Sequence, residues 1–390
     1  MLLRRLDLFK IAFACFLIGG LFYKQIPQVA PLLFEIDQGR VLTVFIVALV
    51  CFLAGEWLRN RWGKRGEALR PSAPDPNPQR LFVAGMILAL SLFGLAGLLF
   101  VQRGVPMLTN DPNKAAAIKA SLNIRTYGLT RVTDVFLPFL SVLCVGLSLK
   151  YSRKRHPKVL AAVLAGLTLA ILFVKAGKAN AVELIIGLLV AYDLARPGRV
   201  RLLSGRLLLV LLACLLVMVS IFYVTEGQEM VFTLKYLAGR VFVYSWEGFN
   251  FIVLKNLPPD LGSQLGQFFS VGGRHDSPDV LLARQMTQRE DVPFAVVPTL
   301  FGFLYRNGGM ALVAGGFLVL GGLVRSVVLK MEQHKDNMLK ATAWYFTYLM
   351  LLTIFLVGNV FNEIRGMGAT VLAIYLLFRF LSTVTIRTDR

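Results

Sequence analysis

The chain has 390 residues, of which 56% are hydrophobic and 16% charged, and a mean hydropathy of +0.65. Its apolar residues come in unbroken blocks, which excludes an ordinary soluble domain and points to spans of about 20 apolar residues crossing a bilayer. Its 42 Lys and Arg against 22 Asp and Glu give a formal net charge of +20, which fits an anionic partner; nucleic acid is excluded, because no soluble domain exists to hold it.

Taken in order, the apolar blocks are 8–23, 41–58, 81–101, 132–149, 159–174, 181–195, 207–224, 310–329, 341–361 and 368–381. They predict an all-α polytopic membrane protein of about ten transmembrane helices. Arg4, Arg5 and Lys10 give the first block the charged opening of a signal peptide, but no small-residue cleavage site follows, so an uncleaved helix is expected. The blocks at 159–174 and 181–195 flank the short stretch 175–180 and read as an antiparallel pair. Cys15, Cys51, Cys144 and Cys214 all fall within blocks and read as core residues, with no disulfide or metal spacing.

Lys and Arg are dense in the connections after the second, fourth and sixth blocks, for example Arg59, Arg61, Lys64 and Arg65, or Arg153, Lys154 and Arg155. By the bias of short cytoplasmic loops toward positive charge, both termini are expected inside. The proline-rich stretch 71–78 reads as a mobile cytoplasmic link.

Two loops are expected outside. The first, 102–131, carries Arg103, Lys114, Lys119, Arg125 and Arg131 against a single acid, Asp111. The second, 226–309, is far longer than a helix connection requires. The chain thus divides into a seven-helix portion 1–225, the long outer loop 226–309, and a three-helix portion 310–390. Within the long loop Arg240, Tyr244 and Glu247 share one helical face, with Phe242, Trp246 and Phe249 on the other, which suggests a helix in the interface or re-entering the membrane.

The outward cations are unusual, because translocated loops are poor in Lys and Arg. Guanidinium groups suit phosphate, since the planar fork pairs with two oxygens and stays charged. The candidate anion set is Arg125, Arg131, Lys178, Arg240, Arg274, Arg306 and Arg365, with Lys175 beside them. Individually, each reads as snorkelling to lipid headgroups. His275 is the one histidine expected outside and could act as a general base; in a polar loop it is otherwise simply solvated. Glu363, in what reads as a tight turn Asn362-Glu363-Ile364-Arg365-Gly366, is a second candidate base, or else the partner of Arg365. Glu35 and Asp37 are weaker candidates, and Asp134 and Glu183 read as neutralising Lys178 or Arg131.

Two stretches carry a resemblance. Gly104-Val105-Pro106-Met107-Leu108 resembles the G-I-P-L-L stretch of bacterial oligosaccharide repeat-unit polymerases, the O-antigen polymerase (Wzy) family. Pro298-Thr299-Leu300-Phe301-Gly302-Phe303-Leu304-Tyr305-Arg306-Asn307-Gly308-Gly309 is similar to their T-x-x-G-x-x-Y-x-x-x-G segment before a late span. An R-x10-G pattern of some members is not evident, and Lys stands in the 175–180 turn where many have Arg.

The resemblance implies a GT-C-like bundle and a glycosyltransferase without cofactor or metal. It would work at the periplasmic face of a bacterial inner membrane, joining polyprenyl-diphosphate-linked oligosaccharides. It also implies a chain-length regulator as partner, beside membrane lipids. The arginines would stabilise the diphosphate, His275 or Glu363 would be the base, and Tyr305 would stack on sugar. The alternatives are an O-antigen ligase, with the same chemistry and a lipid A core acceptor, and a transporter or flippase of lipid-linked sugars, which expects broken helices and an inverted repeat.

Overall fold

The computed structural model describes residues 7–22, 37–66, 73–75, 77–105, 108–109, 114, 118, 132–175, 178–196, 216, 244–262, 282, 284–286, 299–358 and 360–383. Among them there is no strand. Helices α1 (Leu8–Phe22), α2 (Gln38–Gly66) and α3 (Pro78–Arg103) lead into a π-helical turn, Val132–Phe136, that opens α4 (Leu137–Tyr151). Then come α5 (Arg155–Val174), α6 (Lys178–Ala195), α7 (Tyr244–Lys255), α8 (Thr299–Gln333) and α9 (Met338–Val357). A short α10 (Val360–Glu363) and a second π-helical turn, Ile364–Gly368, complete the run into α11 (Ala369–Thr383).

Among the described residues seven helices are long and apolar enough to cross a membrane, and α1 is a shorter apolar helix. α6 matches the expected block at 181–195 but carries Lys178, Glu183 and Asp193. The expected span at 207–224 lies outside the described residues. Apolar side chains stay exposed along whole helices, such as Val83, Ile87, Leu90 and Leu98 on α3 and Val159, Val163 and Leu167 on α5. A soluble surface rarely shows patches of that extent, so the described part is an α-helical bundle built for a membrane.

α4 is the most enclosed span, packed against α3, α5, α6 and α9. A second group gathers α1, α2, α7 and α8 against α9. Its core is aromatic, and the sequence explains why. Phe9, Phe13 and Phe16 recur at spacings of four and three, so one face of α1 is a row of rings. They meet Phe45 and Phe52 of α2, and Phe301, Phe317 and Phe355.

α9 is bounded by its own sequence. The Asn337 side chain accepts a hydrogen bond from the Lys340 N–H, and Gly358, at φ 76°, supplies the left-handed residue that ends the helix. The block 341–361 was expected to run on to Phe361, but the chain breaks at Gly358 and Phe361 belongs to α10. Glu363 and Arg365 are consequently not in a tight turn. They lie on helical and π-helical chain running into α11.

The proline-rich stretch 71–78 also differs from expectation. Asp75 is buried; its carboxylate accepts the N–H groups of Met338 (2.7 Å) and Leu339 (3.4 Å), and the Tyr151 hydroxyl (3.2 Å). Proline composition suggested a mobile link, whereas one acidic residue between prolines ties this segment to the start of α9.

Candidate functional site at a re-entrant helical hairpin

α8 begins at Thr299, eleven residues ahead of the expected span at 310, and is broken inside. Gly308 has φ −168° and ψ 19°, and Gly309 has φ 60° and ψ −153°, a combination that essentially requires glycine. The break reverses the chain. At a rise of about 1.5 Å per residue, a straight helix would separate residues 301 and 317 by about 24 Å. Their rings are 4.7 Å apart. The Leu304 side chain likewise lies against Gly316, within 2.6 Å of where a methyl group there would stand. Residues 299–307 therefore fold back along the first turns of residues 310–333 and re-enter the bundle.

The re-entrant arm is enclosed from its start. Thr299 to Leu304 are all buried. Around Phe301 stand the rings of Phe13, Phe16, Phe45, Phe249, Phe317 and Phe355, with centroids 4.7 to 5.9 Å away. A helix start leaves four N–H groups without intrahelical acceptors, and the first four residues of this arm, 299–302, are all buried. Thr299 adds to the imbalance: it is 1% exposed, and its Oγ1 has no hydrogen-bond partner among the described residues. Its φ of 57° is uncommon for a β-branched residue. The left-handed Gly358 packs on the Thr299 carbonyl so closely that a methyl group there would stand 2.3 Å from it.

The hairpin tip is clamped. Arg306 Nε donates to the Pro258 carbonyl (2.6 Å), and its Nη1 pairs with Asp260 (3.3 Å). In return the Asp260 N–H donates to the Asn307 side-chain oxygen (2.8 Å), and the Asn307 amide donates to the Phe303 carbonyl (2.8 Å). Both members of the ion pair are nearly enclosed, at 10% and 13% side-chain exposure. Such a pair is costly to break from one side, because a buried charge is left alone.

α7 holds the arm from the other flank. Gly248 to Val253 are all buried, so this face of the helix is packed into the bundle. Its Asn250 side chain accepts the N–H of Asp37 (3.1 Å), and Asp37 in turn caps α2 by accepting the N–H of Arg40 (3.1 Å). Tyr305 meets Phe249 edge-on at 6.4 Å. The two π-helical turns lie at the same end and bear Asp134 and Arg365; such distortions are common at functional sites. Asp134 pairs with Lys175 at 2.8 Å, and Lys175 also donates to the Thr133 hydroxyl (3.1 Å). Among the described residues the acid is thus neutralised by Lys175; Arg131 lies outside them.

Of the anticipated site residues, the structure places Tyr305, Arg306, Glu363 and Arg365, and it places the Lys178 backbone at the start of α6. His275, Arg125, Arg131, Arg240 and Arg274 lie outside the described residues. Arg306 is joined to Asp260 and Pro258. Sequence reasoning missed Thr299, Asn250 and the hairpin; the one legible signal was Gly308-Gly309 inside an otherwise apolar run. No family model, curated protein or solved structure matches this chain.

Proposed function

We propose that this chain is a polymerase of polyprenyl-diphosphate-linked oligosaccharide repeat units, working at the hairpin end of the bundle. The observation that carries the reading is the buried start of the re-entrant arm. Its residues, 299–307, belong to the 298–309 stretch whose pattern is similar to the repeat-unit polymerases. A helix start with unsatisfied N–H groups attracts phosphate, and a low-dielectric surround strengthens that attraction.

In this reading the acceptor sugar hydroxyl attacks the anomeric carbon of the donor. The new carbon–oxygen bond forms as the bond to the diphosphate breaks, and the diphosphate leaves with the electron pair. The hydroxyl proton passes to Glu363 or His275. Charge on the leaving group is met by the arm's N–H groups and by Arg125, Arg131, Lys178, Arg240, Arg274 and Arg365. Arg306 serves by fixing the hairpin tip, and Tyr305 borders the sugar.

The test is reconstitution with lipid-linked repeat units. The intact protein is expected to build a ladder of longer glycans. Thr299→Val, which keeps the shape and removes the hydroxyl, and Glu363→Gln are each expected to slow it at least tenfold, corresponding to about 1.4 kcal/mol in the barrier. Unlengthened units from well-folded protein would end the polymerase reading; transfer to a lipid A core acceptor would replace it with the ligase. A second reading, transport of lipid-linked sugars, is favoured by the helix break, since broken helices build transporter sites. Movement of substrate across sealed vesicles without a new glycosidic bond would establish it.

A further inference from the structure

At the end of the bundle opposite the hairpin, α8 and α9 are joined by a turn at residues 334–336. The turn is held by the Asn337 N–H donating to the His334 carbonyl (2.8 Å). Above it a cleft of about 470 Å³ opens between α9 and α11. Its walls are apolar and aromatic, including Trp344, Met350, Leu372 and Tyr375, and its foot carries His334 and Lys340. From Lys340 to Met350 the cleft follows α9 for about 15 Å at helical rise. That volume falls within the range of ligand-binding cavities, about 300 to 1,000 Å³.

Among the described residues the lining of the cleft includes no acid. Asp336, the acid of the turn, is taken by Lys150 at 2.9 Å. Asp75 is occupied by the N–H groups that start α9. Lys330 donates to Gln333 (3.2 Å). The buried Nδ1 of His334 has no hydrogen-bond partner among the described residues. Burial, with Lys340 and Lys330 beside it, pushes His334 below its ordinary value of 6.5. The ring is therefore neutral at pH 7, and Lys340 supplies the charge.

We infer that the α9–α11 cleft binds one anionic phospholipid, its headgroup phosphate at Lys340 and His334 and an acyl chain along Trp344, Met350 and Leu372. The combination is specific. A zwitterionic lipid would satisfy the apolar walls but leave the cation poorly matched, and a soluble phosphate would leave the walls unfilled. Basic pockets between transmembrane helices recognise anionic headgroups on these terms. The inference does not rest on the polymerase reading, because it concerns the opposite end of the bundle.

The experiment uses the full chain in detergent micelles, titrated with phosphatidylglycerol or phosphatidylcholine brominated on the acyl chain. Trp344 quenching is read as the difference between the native protein and Trp344→Phe. Quenching by the anionic lipid is expected to half-saturate at a mole fraction at least fivefold lower than by the zwitterionic one. Lys340→Gln should abolish the preference and Lys340→Arg should retain it, with thermal midpoints confirming that both fold. Equal quenching by the two lipids, or a preference that survives Lys340→Gln, would overturn the inference. So would relief of quenching by millimolar inorganic phosphate, which would make the foot a site for free anion alone.

Discussion

Two helix interfaces in this bundle answer the same problem in opposite ways. Along the α2–α8 seam the backbones touch: a methyl group at Gly55 would stand 2.0 Å from the Leu318 carbonyl oxygen, and one at Gly321 would stand 2.0 Å from that of Phe52. Polar ties close the seam beyond these glycines, with Arg59 donating to Ser326 (2.8 Å) and Arg325 to Asn60 (2.6 Å). Between α9 and α11, large side chains face one another and a cleft remains. Lipid tails are as apolar as leucine, so no hydrophobic force pulls two helices together inside a bilayer. Helices close where small residues let backbones meet, and elsewhere a gap is left for lipid to fill.

The sharpest way to break this contrast is Gly321→Ala. The added carbon meets backbone, which cannot swing aside, so the helices must separate. A loss of about 3 kcal/mol is expected, at the upper end of overpacking effects. It would be read as a large drop in thermal midpoint in a fixed micelle. Gly94→Ala on α3, where nothing lies within 4 Å, is the control and should change little. If the two variants unfold together, the seam is not what holds α2 to α8.

The same contrast explains what could be read from the sequence. Apolar length is a property of each block alone, so the helices at 41–58, 81–101, 132–149 and 159–174 were legible. Chain reversal is not such a property. Gly308-Gly309 could equally have ended a loop before a span, and it takes the contacts of Phe301 with Phe317 and of Leu304 with Gly316 to reveal a hairpin. Asp75 was illegible for a related reason: its partners, the N–H groups of Met338 and Leu339, lie more than 260 residues away. Arg306 was expected among the anion-binding cations, and the structure joins it to Asp260. Its partner Asp260 sat in a stretch whose fold no pattern specified.

Asp75 sets the position of α9, one wall of the cleft, and substitution there should have the next largest effect. Asp75→Ala removes the cap on Met338 and Leu339 and is expected to cost about 1–2 kcal/mol. Asp75→Asn keeps an acceptor for Met338 and removes the charge. Burial raises the Asp75 carboxyl above its ordinary 3.8, against the opposing pull of the Met338 and Leu339 N–H groups, Tyr151 and Lys150. A raised acid favours the fold when protonated. Its contribution is complete below 3.8 and is lost as pH rises through the folded value. The native protein should therefore lose stability relative to Asp75→Asn as pH rises from 4 to 7. A gap that widens in the native protein's favour over that interval would mean that the ionised carboxylate is the better cap.

The smallest effect separates packing from occupancy. A methyl group at Gly368 would stand 3.1 Å from the Met350 sulfur, which is tight, but the neighbour is the end of a flexible thioether bordering the cleft. Met350 can move into the open space, so Gly368→Ala should leave stability within about 0.5 kcal/mol of the native protein. The displaced side chain takes room that the acyl chain would use. Quenching of Trp344 by brominated phosphatidylglycerol should then need more lipid, by roughly a factor of two, a difference of about 0.4 kcal/mol. Loss of stability on the scale of Gly321→Ala would mean that α9 and α11 are packed as tightly as the seam. An unchanged fold with unchanged quenching would place the lipid chain elsewhere along the cleft, nearer Leu372 than Met350.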